Sequence, residues 1–204
     1  MKKGWFLLHT CLWAQSTVFV EGGIGGVHRI PVAKSRAWQD IGRSTNAPRR
    51  LPGWHMHIGS FLRVYPASSY FFEVGAVGRG FSLETDKQKE SFSMVSFPLR
   101  LGARIDSSAH PWWGWVGMSA SLLLRAQSRP DSAVVYRFSD YFARSQLHLQ
   151  AGSEKAIGQK WIVGLAAGWD LTPAWDKVLF QAHRCLIHHL TLSTYVRYAV
   201  WKAH

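Results

Sequence analysis

Residues 92–105, FSMVSFPLRLGARI, carry the feature that most limits the fold. Val95, Phe97, Leu99, Leu101, Ala103 and Ile105 share one parity, with Ser96, Arg100 and Arg104 on the other. Successive side chains of a strand point to opposite faces, so this is a strand with one oily and one charged side. The same alternation returns in residues 17–30, 54–65, 70–82, 112–126, 142–154, 160–171 and 189–202. That makes eight segments, with no helix left to cover the oily faces. No run of about 18 apolar residues exists to cross a membrane as a helix.

The distribution of charge decides which face looks outward. Glu21, Glu73, Glu154 and Asp170 lie on the polar faces with Arg63, Arg79, Arg100, Arg104, Arg125 and Arg197. Acids and arginines brought together inside a closed sheet can neutralise one another, whereas an arginine at the midplane of a lipid-facing strand costs about 2 to 4 kcal/mol. The apolar faces are almost free of charge. These ten residues are therefore expected to form a charge network filling the lumen, which in an eight-stranded barrel is just wide enough for side chains. Connections alternate long and short, as the loops and turns of an up-and-down membrane barrel do. The sequence predicts an all-β protein, an eight-stranded antiparallel transmembrane up-and-down β-barrel, integral to the bacterial outer membrane. A soluble lipocalin-like barrel, with a greasy lumen and a polar exterior, is the alternative.

Tryptophan placement agrees with a membrane barrel. Trp54, Trp112, Trp161 and Trp169 fall near strand ends on the apolar face, where a membrane interface favours amphipathic rings. Pro98 removes a ladder donor and predicts a bulge or bend within its strand. Residues 83–90, LETDKQKE, read as a charged loop.

The amino terminus reads as a signal peptide over residues 1–14, with Lys2 and Lys3 before a short apolar stretch and Ala14 before the cut. Residues 15–204 form the barrel domain. Of two cysteines, Cys11 falls in the leader, so Cys185 alone remains and no internal disulfide can form. The formal charge of +12 suits acidic lipid or lipopolysaccharide. Export and the lack of a recognition motif argue against nucleic acid.

Several stretches resemble the Bacteroidetes-type outer-membrane β-barrel family that includes the PorT-like proteins. They are EGGIGG at 21–26, YFFEVGAVGRGF at 70–81 with Glu73, VSFPLRLGAR at 95–104, and 112–124 with Gly114 and Gly117. The resemblance spans nearly the whole exported chain and implies a membrane anchor, assembly or secretion-associated component. It departs at the last strand, which continues past Trp201 through Lys202, Ala203 and His204.

No catalytic constellation emerges. His188 and His189 with Ser193 suggest a His/Ser pair for lipid A deacylation, but Ser193 shares the lumen-facing parity of His189. His55 and His57 share a face and lack an acidic partner at metal-binding spacing. Neither a cofactor nor a metal is expected, and a non-enzymatic barrel is favoured over a hydrolase. The expected partners are outer-membrane lipid and lipopolysaccharide, together with envelope proteins, around a monomeric barrel. Lys34, Arg36, Arg43, Arg49 and Arg50 in the first loop are candidates to meet lipopolysaccharide phosphates. Trp175, Val178, Leu179, Phe180, Leu186 and Ile187 make the fourth loop unusually apolar, suggesting a partner-binding or strand-extending element.

Overall fold

The computed structural model describes residues 16–33, 51–85, 88–130, 143–173, 175–180 and 183–203. The leader at 1–14 and the loop cations Lys34, Arg36, Arg43, Arg49 and Arg50 lie outside the described residues. Among the described residues nine strands run in order: β1 (Ser16–Ala33), β2 (Leu51–Ala67), β3 (Tyr70–Thr85), β4 (Gln88–Arg104), β5 (Trp112–Pro130), β6 (Ser145–Ile157), β7 (Trp161–Asp170), β8 (Trp175–Phe180) and β9 (His183–Lys202). Each of the first seven pairs antiparallel with its neighbour, β7 pairs with β9, and β9 returns to β1. Eight strands thus close an up-and-down barrel. The short β8 adds a hairpin to the upper part of β9, so the fourth connection extends a strand, as its composition suggested. At the seam, the Ala203 amide donates to the Ser16 carbonyl at 2.9 Å, beside the short turns.

The wall is inside out. Phe97, Leu99, Leu101, Val116, Met118, Leu122, Leu165, Leu192, Val196 and Val200 are all exposed on the outer surface. In contrast, Arg63, Glu73, Glu154 and Arg197 are 0% exposed. A soluble carrier would show the reverse, so the lipocalin-like alternative is overturned. Closure leaves no unpaired edge along this girdle, the condition for a sheet in lipid. Trp54, Trp112 and Trp161 project outward near strand ends, and Trp169 stacks on His188 at 5.7 Å.

Toward the loop end the polarity inverts. Inside, Val27, Phe81, Leu83, Phe92, Met94, Ala126 and Ile187 form one buried apolar cluster, with Phe81 and Phe92 stacked at 4.5 Å. Outside, Glu84 and Lys89 pair at 3.0 Å in the open. This end of the barrel is built like a soluble domain, with its oil inside.

The structure departs from the sequence-based expectation at three places. Residues 83–85 and 88–90 belong to strands rather than a loop: β3 and β4 pair out to Thr85 and Gln88, with Glu84 and Lys89 on the water-facing wall above the girdle and Glu90 turned inward onto Arg29. Pro98 carries no bulge. The β3 ladder skips Phe97 and Pro98 and resumes in unchanged register, since proline withholds one donor without adding a residue. The β4–β5 register instead shifts where Met94 meets Leu123 and Ser93 meets Arg125, leaving Leu124 unpaired. That extra residue reverses the parity of the remainder of β5. Arg125 is consequently exposed on the outer wall and Ala126 enters the apolar cluster, so Arg125 does not belong to the lumen network.

Candidate functional site: the sealed lumen

The centre of the lumen is an ionic layer whose members are placed by strand register. Arg63, Glu73 and Arg100 are direct neighbours across β2, β3 and β4. Glu21 faces Arg197 across β1 and β9, and Glu154 enters from β6. The layer holds three arginines and three carboxylates, so it is neutral as a unit.

Arg197 is its hub. Its guanidinium lies 2.6 Å from Glu21, 2.7 Å from Glu73 and 3.3 Å from Glu154. Arg63 pairs with Glu73 at 2.8 Å and Glu154 at 2.5 Å. Arg100 bridges Glu21 at 3.2 Å and Glu73 at 3.1 Å. No carboxylate depends on one cation, which matters because an unpaired buried charge is far costlier than a paired one.

Aromatic side chains complete the plug. Arg63 sits over Phe71 at 3.6 Å, and Arg100 over Phe61 and Trp115 at 4.4 and 4.3 Å. In these cation–π contacts the negative ring faces attract the guanidinium charges where water is excluded. Trp115 Nε1 donates to the Tyr195 hydroxyl at 2.9 Å, which donates to Glu154 at 3.0 Å. Phe71, Trp113, Trp115 and Tyr195 pack as one cluster. Glycine makes room for them: a Cβ on Gly102 would overlap the Phe71 ring.

A second polar layer lies nearer the loop end. Asp170 accepts from His148 Nδ1 at 2.6 Å, and from His189 through both Nδ1 at 2.9 Å and the backbone amide at 2.8 Å. His57 Nε2 reaches Glu21 at 3.0 Å, and His55 stacks on Phe81 at 5.4 Å. Arg79 lies between the layers, its guanidinium against the side-chain amide of Gln150. Above them Arg29 pairs with Glu90 at 2.7 Å.

Of the ten residues expected in the lumen network, Glu21, Arg63, Glu73, Arg100, Glu154 and Arg197 are joined in the central layer. Arg79 and Asp170 lie in the lumen above it. Arg104 does not join: it donates to the carbonyls of Asp106 and Ser108 at 2.5 and 2.6 Å, because it ends β4 and the adjoining turn needs donors. Sequence reasoning weighed His57 and His189 only as catalytic or metal candidates and left them, with His148, Tyr195, Trp115 and the Arg29–Glu90 pair, out of the lumen network. Lumen-facing parity was the available signal for the histidines and aromatics, but only three-dimensional closure shows which strands face one another.

The hydrolase reading finds no assembled triad among the described residues. Ser193 Oγ donates weakly to the Ala166 carbonyl at 3.5 Å, while His189 is occupied by Asp170. His188 points outward against Trp169.

No family model matches the sequence, and neither does any curated protein. Among solved structures, the fold is similar to Neisserial surface protein A. That match has a TM-score of 0.57 and 11% identity over 90% of this chain and 97% of that one. OprG from Pseudomonas aeruginosa is also similar, with a TM-score of 0.41 and 8% identity over 91% and 96%. Ail of Yersinia pestis in complex with sucrose octasulfate has a TM-score of 0.39 and 12% identity over 89% and 99%. At these identities the likeness is one of fold. With the apolar girdle, that fold makes the chain an integral membrane β-barrel of the bacterial outer-membrane type.

Proposed function

We propose that this barrel is a non-enzymatic, non-conducting outer-membrane anchor that works through its loops and envelope partners in assembly or secretion, in the manner of PorT-like proteins. The supporting observation is the seal. Arg63, Glu73, Glu154 and Arg197 are 0% exposed at mid-lumen, and their mutual pairing leaves them no charge to offer a passing solute. Short turns face the periplasm in bacterial barrels and longer loops face outward. In that orientation the cations Lys34, Arg36, Arg43, Arg49 and Arg50 meet lipopolysaccharide phosphates, and a single copy suffices for the anchor.

The test is affinity purification from envelopes in mild detergent, with mass-spectrometric identification of what accompanies the barrel. Reproducible recovery of assembly or secretion components supports the reading. Recovery of the barrel alone, together with a change in lipid A acyl number when the protein is removed, would instead favour a hydrolase.

A further inference from the structure

Resting on the reading of the chain as a membrane barrel, we propose that its outer wall holds one anionic phospholipid of the periplasmic leaflet, with acyl chains in a groove across β1, β9 and β7 and the phosphate on Lys155. The groove is an open trough of about 760 Å³. Its register is continuous: Trp112 neighbours Lys155, Lys155 neighbours Val163, Val163 neighbours Val196, and Val196 neighbours Gly22.

Two features of this strip suit a lipid. The first is depth. Gly22 points outward with nothing within 4 Å of where a Cβ would stand. Next to it Thr194 is short, and its hydroxyl is turned onto the Ile24 carbonyl at 3.3 Å. The floor is therefore low and presents no unsatisfied donor to hydrocarbon.

The second feature is charge. The Lys155 ammonium lies 5.3 Å from the Trp112 ring centroid and has no carboxylate at ion-pair distance among the described residues. It stands near the short-turn end, where Lys160 and Lys202 are also exposed. The partly buried acid described there, Asp106, is engaged by the Trp112 amide and the Ser108 hydroxyl. An uncompensated ammonium at headgroup depth, beside an interfacial tryptophan and above an apolar trough, matches a phosphate followed by acyl chains.

The experiment is native mass spectrometry of the delipidated full barrel in detergent. Phosphatidylglycerol, phosphatidylcholine or lipid A is titrated in, and folding is checked in each sample by heat-modifiable mobility. Wild type is expected to retain one phosphatidylglycerol, about fivefold tighter than phosphatidylcholine, the factor that one lysine near an anionic headgroup supplies. Lys155→Gln should erase that preference and Lys155→Arg should keep it. Gly22→Leu, whose side chain enters open space, should reduce retention of both phospholipids. Equal retention of the two lipids by wild type, a preference for lipid A, a preference intact in Lys155→Gln, or undiminished retention by Gly22→Leu would overturn the site. A wild-type chain lacking heat-modifiable mobility would defeat the membrane reading itself.

Discussion

Replacing Arg197 with methionine removes the hub of the ionic layer while keeping much of its length. The guanidinium contacts Glu21, Glu73 and Glu154, so all three carboxylates lose a partner and the layer goes from neutral to one net negative charge. None is left bare: Glu21 keeps Arg100 and His57, Glu73 keeps Arg63 and Arg100, and Glu154 keeps Arg63 and the Tyr195 hydroxyl. The loss should therefore match one broken buried pair, about 3 to 5 kcal/mol, rather than a multiple of it. That is roughly two to four powers of ten in the unfolding equilibrium. Urea unfolding in lipid vesicles, followed by tryptophan fluorescence and cold gel mobility, reads the difference. In Arg197→Met with Glu21→Gln the layer is neutral again, so the double variant should lose at least about 1 kcal/mol less than the sum of the two singles. A loss under about 1 kcal/mol for Arg197→Met, or strict additivity, would refute the idea that the lumen is held by mutual neutralisation.

Four further outcomes are expected. Leu165→Arg, on the exposed wall, should cost about 2 to 4 kcal/mol in the same assay, and a neutral result would deny that Leu165 faces lipid. Gly102→Ala should destabilise by about 1 to 3 kcal/mol, because the new methyl meets the Phe71 ring; melting of the cold-mobility form measures it. In planar bilayers the barrel should show no steady channel, and a porin-like conductance would contradict the sealed lumen. The Trp112 amide and Ser108 hydroxyl each donate to Asp106 at 2.8 Å, holding its carboxyl below the usual range. A depressed folded value means the stabilisation of this turn is present above the unfolded value and fades as pH falls through the folded one. Protection of the Trp112 amide, taken as its exchange rate relative to the intrinsic rate at each pH, should accordingly fall in acid, and Asp106→Asn should flatten that dependence.

The barrel was legible in the sequence because alternation with a period of two is a local property: the oily parity of Leu99, Leu122, Leu165 and Val196 needs no knowledge of neighbours. The sign of the lumen was legible for the same reason, since Glu21, Glu73 and Arg197 share the opposite parity. Features that depend on pairing between strands escaped. The slip that leaves Leu124 unpaired and turns Arg125 outward is a matter of register, to which parity alone is blind. Arg104 was misassigned because its partners are turn carbonyls, which carry no sequence signal. Residues 83–90 looked like a loop because charge usually marks one, yet above the girdle a strand can be charged outside and apolar inside. The trio of Asp170, His148 and His189 comes from three strands, and their meeting depends on closure.

Which side of the wall meets lipid is the central question for this barrel. Nitroxide labels placed singly at positions 99, 122, 165 and 196 of a cysteine-free barrel in vesicles can be probed by collision with molecular oxygen and with a water-soluble nickel chelate. An inside-out wall predicts that oxygen, which concentrates in hydrocarbon, relaxes all four labels while the nickel chelate leaves them untouched. Nickel-dominated relaxation at these positions would contradict it.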